Sequence, residues 1–370
     1  MRVGLNATCF NTRPSGANQR FRAIYGTLIR QRPDIEFFIY EPADQRIADW
    51  FSGAPNVSVR RTPLPSVGRI ARVRAGFRYW REQLRADRRD GFETFHLPLV
   101  EAADCPTILT IHDLRPLSPE EPSLRRRIAR SIMHRAFERA ERVIAVSNAV
   151  KDEILAFHPS AVVSTVYNGV DPDGFVSPGP AAVDDVRTRY GIPDRYVLAI
   201  GHLEARKNLV LLVDAIGILR DAGTPRPLII VGNDGGQQHA IEDRIADLGL
   251  GDLVTMIHGA DDATVRALYA ECDLLAFPSR YEGFGIPILE AMAAGKPMVL
   301  ADIPVFRELT RGQSVYFPVD DAQAAATAIA HVWGDAGERE RQRRFGDARV
   351  GDFGFDVLAR QVAAIYAELA

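Results

Sequence analysis

Short apolar runs, each closed by glycine, proline or a polar loop, recur along the chain and alternate with stretches whose apolar positions fall every three or four residues. Such runs predict buried strands, and the spaced stretches predict helices. Strands are predicted at residues 3–5, 36–40, 94–97, 107–111, 143–146 and 164–167, then at 196–200, 228–231, 254–257, 274–277, 298–301 and 314–319. Helices are predicted at 21–31 (FRAIYGTLIRQ), at 123–142, at 148–158 with Ser147 as its cap, and at the amphipathic end FDVLARQVAAIYAEL. This alternation, in two successive sets, predicts an α/β protein with two doubly wound, Rossmann-like sheets. In such sheets ligands gather at the carboxyl ends of the strands.

The most informative stretch is 273–300, DLLAFPSRYEGFGIPILEAMAAGKPMVL. A buried strand at 274–277 runs into a loop carrying Glu282, Gly283 and Gly285. Pro287 then fits the first turn of a helix, which Gly295 and Pro297 stop. Ile288, Leu289, Ala291, Met292, Ala293 and Ala294 surround Glu290, so its carboxylate is predicted in a helix buried all round, where it needs a partner. Complementing the helix dipole would explain that charge, but not the polar loop before it. Two carboxylates, with the amides of Gly283, Phe284, Gly285 and Ile286 around one helix N-terminus, suit a ligand that carries hydroxyls and a phosphate. A nucleotide sugar is such a ligand.

Composition narrows the class. At 370 residues the chain is too long for one ordinary core, and 46% hydrophobic with 25% charged residues is a globular balance. Cys9, Cys105 and Cys272 are scattered without metal spacing, which favours a reducing compartment. MRVGLNATCF lacks the features of a signal peptide and no apolar run approaches a membrane span, so a cytoplasmic location is expected. The net charge of −3 hides an asymmetry: residues 1–170 hold 26 Lys+Arg against 18 Asp+Glu, a balance of +8, and the remainder stands at −11. No nucleic-acid motif accompanies the basic half, so an anionic lipid or sugar phosphate is expected there instead. Its densest part is 69–89, where Ile70, Val73, Phe77, Trp80 and Leu84 form an apolar helical stripe and Arg74, Arg78, Arg81, Arg85 and Arg88 follow one residue later. That pattern fits a core-packed helix with a solvated basic face, or one that docks to an anionic acceptor or membrane.

Other loops carry chemistry in the same rim position. In GHLEARKN, Arg206 and Lys207 stand between a predicted strand and a helix, with Asn208 as the expected cap. Two cations there would stabilise negative charge growing on a leaving group. His112 and Asp113 follow directly on the strand at 107–111, and Asp113 either caps a turn or orients His112. His96, at the end of a shorter run, is a lone histidine of the kind usually satisfied structurally. Asp171-Pro172-Asp173 spells D-x-D, but PDGFVSPGP around it reads as a linker turn, so no metal site is expected.

The wording PSRYEGFGIPILEAMAAGKP resembles the retaining glycosyltransferases of group 4 (glycosyl transferases group 1), and Glu282 and Glu290 stand at their E-x7-E spacing. SGANQRF, TIHDLRPLSPEE, NGVD and GHLEARKN resemble further segments of that family. The resemblance implies the GT-B fold: two Rossmann-like domains facing across a cleft. Residues 1–172 would bind the acceptor, 173–354 the nucleotide sugar, and helix 355–370 would pack back onto the first domain. It also implies roles for residues. Glu282 contacts donor-sugar hydroxyls, Glu290 holds the ribose diol, and Arg206 and Lys207 meet the diphosphate. His112 lies under the transferred sugar, and Gly16 lets backbone approach the donor phosphate, although this chain has Ser15-Gly16 where many relatives have a Gly-Gly pair.

The reaction implied is a metal-independent, retaining, front-face transfer of a hexose. GDP-mannose is the first expectation and a UDP-linked donor the second. The acceptor would be a glycan or lipid-linked glycan of polysaccharide biosynthesis, with peripheral contact at an anionic inner membrane face. A nucleotide-sugar epimerase and a non-catalytic sugar-nucleotide-binding subunit are the alternatives on the same fold. No cofactor beyond the donor itself is expected.

Overall fold

The structure is a computed structural model that describes residues 1–12, 15–68, 79–80, 83, 87, 89–95, 97, 105–118, 121–175 and 178–369. It divides into two compact units, Met1–Gly169 with Phe355–Ala370, and Val170–Gly354. The change of unit comes at Gly169, ahead of the expected boundary after 172, because the N–H of Val170 already bonds the carbonyl of Phe353 at 3.1 Å. Just beyond, Asp171 Oδ1 accepts from the N–H of Asp173 at 3.2 Å and closes a turn.

In the first unit, β1 (Arg2–Asn6), β2 (Glu36–Glu41), β3 (Val57–Arg61), β4 (Gly91–Thr94), β5 (Thr107–Ile111), β6 (Arg142–Ala145) and β7 (Val163–Thr165) form one parallel sheet. Its order is β3-β2-β1-β4-β5-β6-β7, so the winding reverses between β1 and β4. The strand expected at 94–97 lies earlier, at Gly91–Thr94, where Val3 pairs with Gly91. A glycine and a glutamate disguised it. Glu93 is fully buried, and its carboxylate accepts from the hydroxyls of Tyr25, Thr110 and Tyr366. Burial holds this carboxyl above its ordinary range, against the pull of those hydroxyls. The next residue, Phe95, joins a ring cluster with Phe10, Phe21 and Tyr25.

The first helix starts earlier than expected, at Gly16, because Ser15 Oγ accepts from the N–H of Asn18 at 3.2 Å. It continues through a π turn at Phe21–Tyr25 into Gly26–Gln31. The C-terminal helix Phe355–Ala367 buries Leu358, Val362 and Tyr366 in the same core as Phe21, Ile24, Tyr25 and Leu28. Of the Arg-rich stretch 69–89, Trp80 packs edge-on against Tyr40 and Phe92, while Arg74, Arg78, Arg81, Arg85 and Arg88, like His96, lie outside the described residues.

In the second unit, β8 (Val197–Ile200), β9 (Leu228–Val231), β10 (Val254–Ile257), β11 (Leu274–Phe277), β12 (Met298–Ala301) and β13 (Val315–Phe317) form a parallel sheet in the order β10-β9-β8-β11-β12-β13. Here the winding reverses between β8 and β11, whose pairing joins Leu275 to Leu198. The helix Pro180–Tyr190, which the proline-rich approach concealed, ends at Gly191 in a left-handed cap. Among the described residues, no helix is long and apolar enough to cross a membrane.

Candidate active site

A doubly wound sheet leaves a crevice where neighbouring strands send their connections to opposite faces. In the second unit that place is the carboxyl end of β8 and β11, so the loops 201–208 and 278–285 emerge side by side. They carry the chemistry. Glu282 Oε1 lies 2.6 Å from Lys207 Nζ, and Glu282 Oε2 lies 2.8 Å from Arg206 Nη1. Ser279 Oγ donates to Glu282 Oε1 at 2.8 Å, and Arg206 Nε pairs with Glu204 Oε2 at 2.7 Å.

Only 10% of the Lys207 and Glu282 side chains is exposed. Burial works to raise the Glu282 carboxyl, yet Lys207 and Arg206 hold it below the usual carboxylate range. Burial also lowers the Lys207 ammonium, and Glu282 is the main force opposing that shift. Arg206 stays above its ordinary value, because Glu282 and Glu204 outweigh its burial. The lysine stem reaches Glu282 past Gly201, whose φ is +150° and where a Cβ would come within 3.2 Å of Lys207 Cε.

Asn208 occupies the cap position of the helix Leu209–Asp221, but its side chain does not cap. With φ at 54° it turns away and donates to Asp320 Oδ1 at 3.0 Å. The expected capping bond is therefore replaced by a long-range one.

Glu290 lies on the helix Ile286–Ala293, which Gly285 opens at φ +115° with Pro287 in the first turn. A Cβ at Gly285 would sit 3.1 Å from the Phe306 ring, so the entry geometry requires glycine. Ile288, Leu289, Ala291 and Met292 are buried, while Ala293 and Ala294, expected to be buried too, keep partial exposure. Phe284 is also buried, its ring 6.3 Å from that of Phe353, and Gly283 and Ile286 are half-buried beside it. Glu290 accepts from the Tyr269 hydroxyl at 3.0 Å. Burial pushes its carboxyl up to about 7, against that hydrogen bond, with Asp262 adding to the rise. Tyr269 carried no signal in the sequence, since it belongs to the preceding helix Asp262–Glu271.

The remaining predicted residues belong to the first unit. Gly16 is the first residue of its helix, reached from β1. His112 directly follows β5, and burial, reinforced by the charge of Arg20, takes its imidazole down to about 3, so it is neutral at physiological pH. Asp113 Oδ1 accepts from the N–H of Arg115 at 3.0 Å, so it caps the following turn. Arg20 was not anticipated. It is 2% exposed, and its Nη1 donates to the carbonyls of Val166 and Tyr167 at 2.9 and 2.6 Å and to Asn168 Oδ1 at 3.1 Å. The apolar residues following it in FRAIY were the available hint of burial.

Comparison with known proteins agrees with the fold of two parallel sheets. The profile described as Glycosyl transferases group 1 matches residues 184–349, and Glycosyltransferase Family 4 matches residues 14–174. A phosphatidyl-myo-inositol mannosyltransferase of Mycobacterium tuberculosis is 30% identical over 332 residues, covering 84% of this chain and 83% of that protein. The chain belongs to the family 4 glycosyltransferases. The O-antigen chain mannosyltransferase RfbU of Salmonella typhimurium is 29% identical over 226 residues, a match that spans 60% of this glycosyltransferase and 60% of RfbU. Anabaena Alr3699/HepE, solved with UDP and glucose, superposes with a TM-score of 0.77 at 22% identity over 99% of both chains and shares the GT-B fold. In this glycosyltransferase, Arg206, Lys207, Glu282 and Glu290 fall inside the 184–349 match, and Gly16 and His112 inside the 14–174 match.

Proposed function

We propose that the chain transfers a hexosyl group from a nucleotide sugar to a hydroxyl of a glycan or lipid-linked acceptor, with retention of configuration, and that the donor is GDP-mannose. The observation that carries this reading is the Arg206–Lys207–Glu282 cluster at the switch point of the second sheet, one loop before Glu290. The names of the RfbU and phosphatidyl-myo-inositol relatives support mannose, and the HepE complex supports a nucleotide sugar as the donor class. Glu282 accepts from donor-sugar hydroxyls, and Arg206 and Lys207 meet the diphosphate as its charge grows. In a front-face displacement the acceptor oxygen bonds to the anomeric carbon as the bond from that carbon to the phosphate oxygen breaks. The acceptor proton passes to the departing phosphate, so no protein base is needed. His112, being neutral, offers the transferred sugar a hydrogen bond without adding charge.

The test is incubation with GDP-, UDP- and ADP-linked sugars plus acceptor, scored for free nucleoside diphosphate, in parallel with thermal shifts by GDP, UDP and ADP. Release from GDP-mannose with stabilisation by GDP supports the reading. An epimerised donor, or no turnover of any donor, overturns it. The rate should survive EDTA, because Arg206 and Lys207 supply the positive charge that the leaving diphosphate needs.

Glu290 gives a pH signature. A carboxylate accepts from both ribose hydroxyls, whereas its protonated form loses part of that capacity. Because Glu290 is pushed up to about 7, donor binding should strengthen as pH rises through that value. Donor KM is expected to fall between pH 6 and pH 8, by at most about tenfold, and Glu290→Gln should raise KM and flatten the profile. A variant that keeps both the wild-type KM and its pH dependence removes the ribose role.

The acceptor side is proposed to be anionic or membrane-bound. Besides the 69–89 stretch, the helix Ser123–Arg139 exposes Leu124 and Ile128 one turn apart among Arg125, Arg127 and Arg130. Basic residues beside exposed apolar ones suit an anionic bilayer surface. Sedimentation with anionic and neutral vesicles across a salt series tests it, and equal binding to both, or to neither, removes the membrane version.

A further inference from the structure

Three non-glycine residues among those described have left-handed backbone: Asn208 (φ 54°), Arg311 (φ 47°) and Asp320 (φ 68°). Two of the three touch each other, since Asn208 Nδ2 donates to Asp320 Oδ1 at 3.0 Å. Left-handed backbone costs energy outside glycine, least for Asn and Asp, and persists where surrounding contacts enforce it. The third member here is Arg280. Its Nε donates to the same Asp320 oxygen at 2.7 Å, its Nη1 to the carbonyl of Ala205 at 3.0 Å, and its backbone N–H to the carbonyl of Arg206 at 2.8 Å. The turn Ala205–Lys207 is thereby held through its own carbonyls, and the following Asn208 through its side chain, with both ties ending on one carboxylate oxygen. Asn208, Arg280 and Asp320 also line one cavity together with Glu204 and Ala205. These bonds reach the backbone of the turn, whereas the charged tips of Arg206 and Lys207 bind Glu282.

We propose that Asp320 is a positioning residue for sugar transfer. Through Arg280 and Asn208 it fixes the Ala205–Lys207 turn, and so sets where the Arg206 and Lys207 side chains meet the leaving diphosphate. The inference rests on the phosphate role given above to those two cations. Asp320 and Arg280 are 55% and 40% exposed in their side chains, and exposed ion pairs contribute little to stability. A purely structural contact would therefore be nearly silent in kinetics, whereas misplacing a charge-stabilising group costs rate steeply.

The experiment compares steady-state kinetics with GDP-, UDP- and ADP-linked sugars, and thermal midpoints, for Asp320→Gly, Asp320→Asn, Arg280→Met and the Asp320→Gly/Arg280→Met double variant. Glycine removes the side chain while accepting the positive φ, and asparagine tolerates that φ and keeps the oxygen that Arg280 and Asn208 share. Asp320→Gly is expected to lower kcat about tenfold with donor KM within about twofold and an unchanged midpoint. Asp320→Asn should recover most of that loss, and the double variant should be no worse than its worse parent, because the two residues act as one tie. Wild-type kcat in Asp320→Gly, a fall that tracks a lowered midpoint, or multiplicative losses in the double variant each overturn the inference. Arg206→Ala and Lys207→Ala run alongside. Full turnover in both would overturn the phosphate reading together with this inference, whereas their loss beside an intact Asp320→Gly overturns this inference alone.

Discussion

Lys207→Ala and Arg206→Ala are each expected to cut kcat by about 100- to 1000-fold while leaving affinity for the nucleoside alone nearly unchanged. Both side chains stand at the switch point of the second sheet, drawn there by Glu282 at 2.6 and 2.8 Å. In the proposed role their charge would matter most when the diphosphate departs, because the growing negative charge would then lie in a poorly solvated place. Groups already fixed there need no reorganisation at that moment, which is why the loss falls on kcat. Steady-state and single-turnover rates with a saturating donor check the effect, and wild-type turnover in either variant removes that residue from the mechanism. Lys207→Arg is expected to recover only part of the loss, because a planar guanidinium does not reproduce the compact ammonium that meets Glu282.

Glu282→Gln is expected to lower kcat by about 100-fold near pH 8 and to make it pH-dependent in an unusual direction. Burial already lowers the Lys207 ammonium, and Glu282 is the main group that resists this. Without the carboxylate the lysine pKa falls further, so the ammonium is lost as pH rises and regained as pH falls. The variant should therefore gain activity towards acid pH, and adding Lys207→Met should abolish that slope. Stability is expected to drop by about 3 kcal/mol, since removing one partner of a buried pair leaves the other uncompensated. A pH profile of kcat at saturating donor, with urea unfolding alongside, measures both. A flat profile near the wild-type rate would show that Glu282 neither faces the sugar nor sustains the Lys207 charge.

Much of this arrangement was readable from local pattern. The unit from Leu274 to Ala301 declared itself through an apolar run, a polar loop, Pro287 in a first helical turn and Gly295 after a last one, and the structure has β11, the helix Ile286–Ala293 and β12 there. Each of those signals acts within a few residues: glycine and proline restrict their own φ, and apolar spacing reports which face is buried. The same logic placed Arg206 and Lys207 on a loop at the end of β8. A buried polar strand residue has no such signature. Glu93 made β4 look interrupted, and its burial is made tolerable by three hydroxyls from distant segments, one of them on the C-terminal helix, together with the charge of Arg20.

Partnership was decided in three dimensions. That Glu282 meets Lys207 and Arg206 follows from β8 lying beside β11, a neighbour relation set by which strands share a hydrogen-bond ladder across the whole sheet. That Glu290 has Tyr269 as its partner, and Asn208 reaches Asp320 instead of capping its helix, depends likewise on packing between segments far apart in the chain. The order of residues specifies the period of each element and the chemistry of each turn. Which charges neutralise one another, and therefore which pKa values move, is settled only when burial removes water and leaves each buried polar group to find its partner within the fold.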